Sequence, residues 1–422
     1  MAVRVPTLCA LHPFVLVAAL LCLLAATPAH ADPSGLFSGE SVSAFADLRL
    51  VAADGERSWA DGGFGKTRFG GGGFSAGCVQ ADLTLAAQLT PALLALADVQ
   101  YQTTDKNAFS ALEAYLRYRP VSTTPLRWSL KVGEFFMPVS LENDAIGWTS
   151  PWTLTPSAIN SWLGEEFRTI GAEGRLEWRG ASNTFEGVVG LVRNNDPAGE
   201  LLAARGWSLS DMTSGIGSRV REPDAYATFN GVPYPLRFNP FLENDGRTGW
   251  YAGAAWKMPG AGGVQVLRYD NEADPSSHSN GSSPVFSWRT NFWSLGAEAD
   301  VGDIVFLGQA LTGSTLIVPS PFFSTSTDFR AAYLLAGWNR GVLRPTLRFD
   351  AFSTDQLPKS IDGRWREHGN AITFALNWRP RAWLRVTGEA LRIYSSRNQR
   401  LDDGNSPQQT DNQVQLSARL IF

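Results

Sequence analysis

From about residue 42 to Phe422 the sequence repeats one device: segments in which apolar and polar side chains alternate, joined by connections that are by turns very short and long. Leu83, Leu85, Ala87 and Leu89 alternate with Asp82, Thr84, Ala86 and Gln88. In the last segment Val414, Leu416, Ala418 and Leu420 alternate with Gln413, Gln415, Ser417 and Arg419. Successive side chains of a strand point to opposite faces, so each segment reads as a strand with one greasy and one wet face. One such strand is equally at home in a soluble sandwich; the recurrence decides. The segments begin near residues 42, 77, 93, 110, 126, 169, 183, 249, 263, 289, 304, 329, 343, 370, 382 and 411. An even number of strands with alternately short and long connections predicts an all-β fold, a transmembrane antiparallel β-barrel of about 16 strands with short periplasmic turns and long extracellular loops.

The N-terminus points the same way. Arg4 precedes an apolar run from Phe14 to Ala26, followed by Thr27-Pro28-Ala29-His30-Ala31, the pattern of a secretory signal peptide over residues 1–31. The run is shorter than the ~20 residues of a spanning helix, and no later stretch approaches that length, so helical spans are excluded. Cys22 follows Leu21, where a lipoprotein signal would carry a small residue, which argues against lipidation. Residues 32–422 are then the barrel, exported to a bacterial outer membrane. Cleavage removes Cys9 and Cys22 and leaves Cys78 alone, so no intramolecular disulfide is available. It also removes Arg4 and no acid, leaving 35 basic against 40 acidic residues, which argues against a nucleic-acid partner.

Tryptophan gives an independent reading. Trp128, Trp178, Trp256, Trp338, Trp378 and Trp383 each lie within a few residues of a short connection. On a barrel they share one height and form a girdle at the lipid interface. The core of a sandwich has no reason to confine its tryptophans to one end of every second connection. In hydrocarbon the sheet must close on itself, because an unpaired N–H or C=O costs several kcal/mol. Residues 411–422 therefore close the ring against the strand beginning near residue 42. About sixteen strands enclose a water-filled lumen rather than a packed core. Asp82, Glu113, Arg117, Lys131, Glu173, Arg175, Arg348, Asp350 and Arg419 fall on the inward face, where a wet lumen carries their charge at little cost.

Chemistry-bearing motifs are scarce. His12 and His30 leave with the signal peptide, and His278 and His368 sit in no nucleophile or metal pattern. Gly62-Gly63-Phe64-Gly65-Lys66-Thr67 echoes the end of a phosphate-binding loop, but Ala60 stands where its first glycine belongs and no parallel strand precedes it. Asp402-Asp403-Gly404-Asn405 could meet a hard cation, or simply turn a polar loop. No cofactor, no metal site and no catalytic residue is expected.

The connection 144–168 stands apart. It holds Trp148, Trp152 and Trp162 together with Pro151 and Pro156, too apolar for a solvated loop. Packing against the inner wall would fold it into the lumen, placing Glu165, Glu166 and Arg168 at a constriction where charge tunes selectivity. Packing on the outer rim is the alternative. Val132-Gly133-Glu134-Phe135-Phe136-Met137-Pro138-Val139-Ser140-Leu141-Glu142-Asn143, followed by this loop and by Glu166-Phe167-Arg168-Thr169-Ile170-Gly171, resembles the fifth-strand and third-loop region of the phosphate-selective porin O/P family. The resemblance covers about forty residues, and implies a sixteen-stranded outer-membrane channel, usually a homotrimer, with its third loop turned inward. Those porins line their path with Lys and Arg. Residues 141–168 here carry Glu142, Asp144, Glu165 and Glu166 against Arg168, so no phosphate site is carried over.

The expected function is a porin, a passive diffusion channel for small hydrophilic solutes or ions. A substrate-specific channel, including an anion or phosphate type, is the nearest alternative; a barrel enzyme or a surface adhesin is more distant. Expected partners are outer-membrane lipid, the permeant solutes, and the barrel-assembly machinery, to which the terminal aromatic Phe422 resembles a recognition signal.

Overall fold

Backbone pairing closes the chain into a ring. The computed structural model describes residues 42–103, 107–226, 228–229, 232–233, 235–281, 283–358 and 365–422; the signal-peptide reading of residues 1–31 lies outside them. The ring runs, each strand beside the next, through β1 (Val42–Ala53), β2 (Gly73–Thr90), β3 (Leu93–Gln102), β4 (Phe109–Tyr118), β5 (Leu126–Phe135), β6 (Thr169–Arg179), β7 (Thr184–Arg193) and β8 (Gly249–Met258). It continues through β9 (Gly262–Asp270), β10 (Arg289–Val301), β11 (Ile304–Ser320), β12 (Phe323–Trp338), β13 (Leu343–Leu357), β14 (Glu367–Arg381), β15 (Leu384–Arg397) and β16 (Gln408–Ile421). The sixteen segments read from the sequence are these strands, all antiparallel. β16 pairs with β1 from Phe45↔Ile421 to Ala53↔Gln413, so no edge is left open.

The pleat does what the alternation asked of it. On β16, Val414 is 57% and Leu416 50% exposed, whereas Gln413, Gln415, Ser417 and Arg419 are all nearly sealed. No helix among the described residues is long and apolar enough to span a membrane, and the outer surface is made by strands. The wall is uneven in height: β3 to β9 hold 9 to 11 residues each, β10 to β16 hold 13 to 17. The low wall is where the two longest inward excursions leave the sheet.

The first excursion, residues 136–168, contains helix α1 (Ala158–Glu166). Ser157 caps it, its Oγ accepting from the Asn160 N–H at 3.3 Å. The Asp350 carboxylate takes the Ala158 N–H at 3.1 Å, so an acid on the barrel wall satisfies a helix N-terminus. The second, from residue 194 to about 219, contains α2 (Glu200–Arg205), bounded by Gly199 (φ 100) and Gly206 (φ 76). A side chain at Gly199 would strike the hydroxyls of Thr290 and Thr315, so glycine there lets the loop lie flat on the wall.

The expectation of a wet lumen fails here. One apolar cluster sits inside the barrel, made of inward side chains of the tall wall (Phe292, Leu307, Leu311, Phe329, Tyr333, Leu335, Phe352, Leu391, Ile393) and residues of the loops (Ile159, Trp162, Leu163, Phe167, Leu202, Trp207, Leu209). Along the middle of β11 and β12 both faces of the sheet are therefore largely apolar, one toward lipid and one toward inserted chain, while on β13 to β15 apolar side chains share the inner face with Arg348, Asp350, Thr373, Asn377 and Glu389.

Candidate functional site

The interior has two storeys. In the lower one, residues 136–168 cross from the low wall to the tall wall and back. The Val139 carbonyl accepts from Gln265 at 3.0 Å and from Gln309 at 2.8 Å. Further along, the Trp152 carbonyl accepts from Asn377 at 2.7 Å, and the Leu154 and Thr155 N–H groups donate to Glu389 at 2.6 and 3.2 Å. Gly337 makes room for Trp152: a Cβ there would overlap the indole ring.

Arg348 is the clamp of this storey. Fully buried, it binds Glu142 at 2.6 Å and Asp350 at 2.8 Å, and donates to the carbonyls of Thr155 at 2.7 Å and Pro156 at 3.0 Å. A buried ion pair offsets its desolvation only when its remaining donors and acceptors are satisfied, which is the arrangement here.

The upper storey, residues 194–219, lies on the first. The Ser214 N–H donates to the Gly164 carbonyl at 2.8 Å, and the Ser210 N–H to Ser161 Oγ at 2.9 Å. On the tall wall, Trp207 Nε1 donates to the Ser353 carbonyl at 3.0 Å. On the other side Asp211 bridges Arg49 at 2.6 Å and Arg68 at 3.2 Å, and Thr213 joins Gln100 and Gln102 at 2.8 and 3.0 Å. Residues 56–68 close over the top. The Gly62–Thr67 stretch that echoes a phosphate loop is part of this lid, with Lys66 buried in an ion pair with Glu367 and its N–H on Asp411 at 3.0 Å.

This architecture relocates the residues expected at a constriction. Glu165 is 1% exposed and pairs with Arg205 and Ser208; Glu166 is fully sealed, accepting from Trp162 and from the N–H groups of Gly199 at 3.1 Å and Leu201 at 3.0 Å. Arg168 lies 3.4 Å above the ring of Phe136 and donates to the Ser214 carbonyl. These three fasten one loop to the other and line no opening, because the second loop covers them. Trp162 packs edge-on against Phe167, Trp207, Phe292 and Phe329; Trp148 stacks on Phe136 at 4.3 Å, and Trp152 sits in the notch at Gly337.

The inward charges divide likewise. Arg348 and Asp350 belong to the clamp. Arg419 binds Asp47 at 2.8 Å and reaches Thr149 of the loop at 3.0 Å, and Glu113 accepts from the Phe136 N–H at 2.9 Å. Asp82 is 4% exposed and shares Thr84 Oγ1 with Asp98, at 3.3 Å to each. Arg117, Lys131, Glu173 and Arg175, with Arg127, instead border a polar cavity of about 150 Å³ low on β4 to β6. Glu173 bridges Lys131 and Arg175, both at 3.3 Å, and takes the Tyr251 hydroxyl at 2.6 Å.

On the outside, Trp128, Trp178, Trp338, Trp378 and Trp383 are 40 to 55% exposed, and Trp256 is half-buried with its Nε1 on Asn183 at 2.8 Å. Trp128, Trp178, Trp256, Trp338 and Trp378 lie at the short-turn ends of their strands, and Trp383 lies in the turn between β14 and β15. Phe422 exchanges backbone hydrogen bonds with Ala44 at 2.8 and 3.1 Å and leaves its ring 41% exposed. Among the described residues Asp196, Glu243 and Asp245 bring carboxylate oxygens within 4.8 Å of one another. Asp196 and Asp245 already accept backbone N–H groups of Asn244 and Asp274, so they serve loop turns.

Sequence reasoning did not find the second loop's entry, nor Arg49, Glu142, Arg205, Asp211 and Glu389 as its anchors and the first loop's. A signal existed: Ile304–Leu311 (IVFLGQAL) and Phe329–Ala336 (FRAAYLLA) are nearly continuous apolar runs, the mark of a strand covered on both faces.

No family model matches the chain, and no curated protein matches it. Solved structures do. The outer membrane channel DcaP of Acinetobacter baumannii aligns with a TM-score of 0.52 at 13% identity, over 91% of this chain and 99% of that one. A loop-deletion mutant of OmpT, an outer membrane protein of Vibrio cholerae, aligns at 0.51 and 9% identity, over 90% and 99%. An anion-selective porin from Comamonas acidovorans aligns at 0.50 and 12%, over 90% and 99%. At such identities the likeness is one of fold: this chain is a porin-like barrel.

Proposed function

We propose that this protein is an outer-membrane porin, a passive channel for small hydrophilic solutes or ions, whose passage runs along one sector of the barrel. The observation that carries the reading is a closed ring with an apolar exterior and a polar inner wall over β16 and β1 to β6. There Gln100 and Gln415 meet the loops through hydrogen bonds to Thr213 and Thr155, and Gln80, Asp82, Asp98 and Gln413 give the same wall a polar face in place of a hydrophobic seal. Water and a polar solute can replace such bonds; they cannot replace the packing of Trp162. The basic cavity bordered by Arg117, Arg127, Lys131 and Arg175 is the periplasmic end of this route.

The two inserted loops favour a narrow channel with a preferred solute over a wide general pore. The resemblance to phosphate-selective porins and the anion-selective neighbour supply a candidate class, and the acidic loop argues against adopting it. Homotrimer assembly, insertion by the barrel-assembly machinery through Phe422, export by residues 1–31, and anchoring by the tryptophan girdle in outer-membrane lipid complete the reading. It includes no catalytic step and no cofactor.

The test is to refold residues 32–422 in detergent, insert them in a planar bilayer, and record conductance, ion selectivity and step multiplicity. Discrete steps of small unitary conductance, grouped in threes, are expected. A silent bilayer with correctly folded protein overturns the channel reading and leaves the adhesin.

A further inference from the structure

High on the tall wall, at the extracellular end, the upper storey does not fill the barrel. A cavity of about 350 Å³ remains between α2, the segment 286–288 and the outer ends of β11, β12 and β13. Its lining is mostly apolar and aromatic, including Tyr226, Phe286, Trp288 and Trp365. Its size is that of a small-molecule pocket, and it sits among loops, where ligand contacts concentrate.

Two acids enter this lining, Glu200 at the start of α2 and Glu222 after it. Glu222 is 1% exposed, and neither of its carboxylate oxygens has a hydrogen-bond partner among the described residues. A buried acid with neither oxygen partnered is costly in either protonation state, and a cation beside it is what would let it ionise, so the site is incomplete as it stands. The nearby cations act on Glu222 only at a distance: Arg205 pairs with Glu165, and Arg397 donates to the carbonyls of Ala203 and Ala204 at 3.0 and 2.8 Å, so neither hydrogen-bonds it. Burial, together with Glu166, holds Glu222 up at about 8, and burial beside Glu222 raises Glu200 well above the usual carboxylate range.

The walls supply the other half of the chemistry. Trp365 and Tyr226 place ring centroids 5.9 Å apart, and the Tyr226 ring is fixed by its hydroxyl, which donates to the Ala204 carbonyl at 3.1 Å and accepts from Gln399 at 2.5 Å. The Trp288 Nε1–H also lacks an acceptor among the described residues. Aromatic faces beside carboxylates are suited to a cation whose charge is carried on hydrocarbon, more than to a metal ion, which needs a shell of oxygens.

We propose that this cavity binds a small organic ammonium cation at the extracellular mouth, its charge against Glu200 and Glu222 and its hydrocarbon against Tyr226, Trp288 and Trp365. The site does not depend on ion passage, so its test stands whether or not the barrel conducts.

The refolded chain is titrated calorimetrically with choline and with 2-phenylethylammonium, and in parallel with the uncharged 2-phenylethanol. Saturable binding of at least one cation is expected, with a dissociation constant below about 1 mM, and tenfold or more over the alcohol. Glu222→Gln and Trp365→Leu, checked for folding by heat-modified gel mobility, should each weaken the cation tenfold or more. The proposal is overturned if neither cation saturates, if the alcohol binds equally well, or if folded Glu222→Gln binds as the parent does. Should Glu222→Gln not fold, the comparison of cation with alcohol on the parent chain still decides.

Discussion

The inner wall of this barrel is built in two ways. Over β10 to β15 it presents Phe292, Leu311, Phe329, Phe352, Leu391 and Ile393; over β16 and β1 to β6 it presents Gln413, Asp47, Arg49, Gln80, Asp82, Gln100 and Glu173. Both sectors hold the same two loops. The first adds to polar anchors such as Arg348, Asn377 and Glu389 a layer of excluded water and close packing, which is non-directional and collapses only when a large side chain is lost. The second holds them by individual hydrogen bonds and ion pairs, each exchangeable with water. In the proposed channel the apolar sector is thus the hinge side of the plug, and the polar sector is the seam along which a solute would pass.

The largest effect should come from breaking the apolar sector at its centre. Trp162 is 2% exposed, with Phe167 and Phe329 rings 4.6 and 4.9 Å from its own. Trp162→Ala should cost about 3–5 kcal/mol of loop docking, as buried aromatic truncations do. Unitary conductance should rise severalfold and residues 144–168 should become open to protease. A variant with parental conductance and full protection would break the distinction between the sectors.

Next comes the clamp, a buried charged site embedded in this half, beside Glu389 and the Glu367–Lys66 pair. Arg348→Met leaves Glu142 and Asp350 buried without their cation, at about 3–5 kcal/mol, whereas the triple change Arg348→Met, Glu142→Gln, Asp350→Asn should recover much of that loss. Protease protection of residues 136–158 reads both. Equal protection in the single and triple variants would mean that the carboxylates find other partners.

How much of this was legible follows from the same contrast. Alternation located the strands because lipid demands one apolar face everywhere, and Val414 or Leu416 obeys that demand without regard to the interior. Boundaries slipped where the strands outgrow the membrane: β12 begins at Phe323, not near residue 329, and β2 at Gly73, because their outer ends pair above the lipid, where no apolar face is required. The interior was misread for a different reason. Period two reports which residues share a face and says nothing of what covers it, so Tyr333 and Leu335 looked like a run, not a wall against α1. The tryptophans and prolines of residues 144–168 did betray a segment that needs a partner. Residues 194–219 carry a similar load in Leu201, Leu202, Trp207 and Leu209, and their contacts with Glu367 and Arg49, far away in sequence, appear only once the ring has closed.

A smaller effect comes from pH at the top of the apolar sector. Burial holds Glu222 up at about 8, so the packed loop favours the protonated acid. The sign follows from linkage: this contribution to closure is complete below the ordinary carboxylate value and is lost as pH rises through about 8. Protease cutting within residues 200–222 should therefore increase between pH 5 and 8 and level off above, and Glu222→Gln should flatten that profile. A flat parental profile would show that Glu222 is already ionised.

The smallest effect belongs to the polar seam, where one charge can be removed without disturbing packing. Asp82 faces Gly147, whose positive φ of 63 and missing Cβ let the loop pass the carboxylate; a Cβ there would come within 2.6 Å of Oδ2. Asp82→Asn keeps the shape and removes the charge. If the seam carries the current, cation preference should fall about twofold, equivalent to ~0.4 kcal/mol, with conductance and protease protection unchanged. Glu165→Gln is the matched control: its carboxylate sits under the second loop against Arg205, so permeability should stay as in the parent. A reversal potential that moves with Glu165 and not with Asp82 would put the passage between the loops instead of beside them.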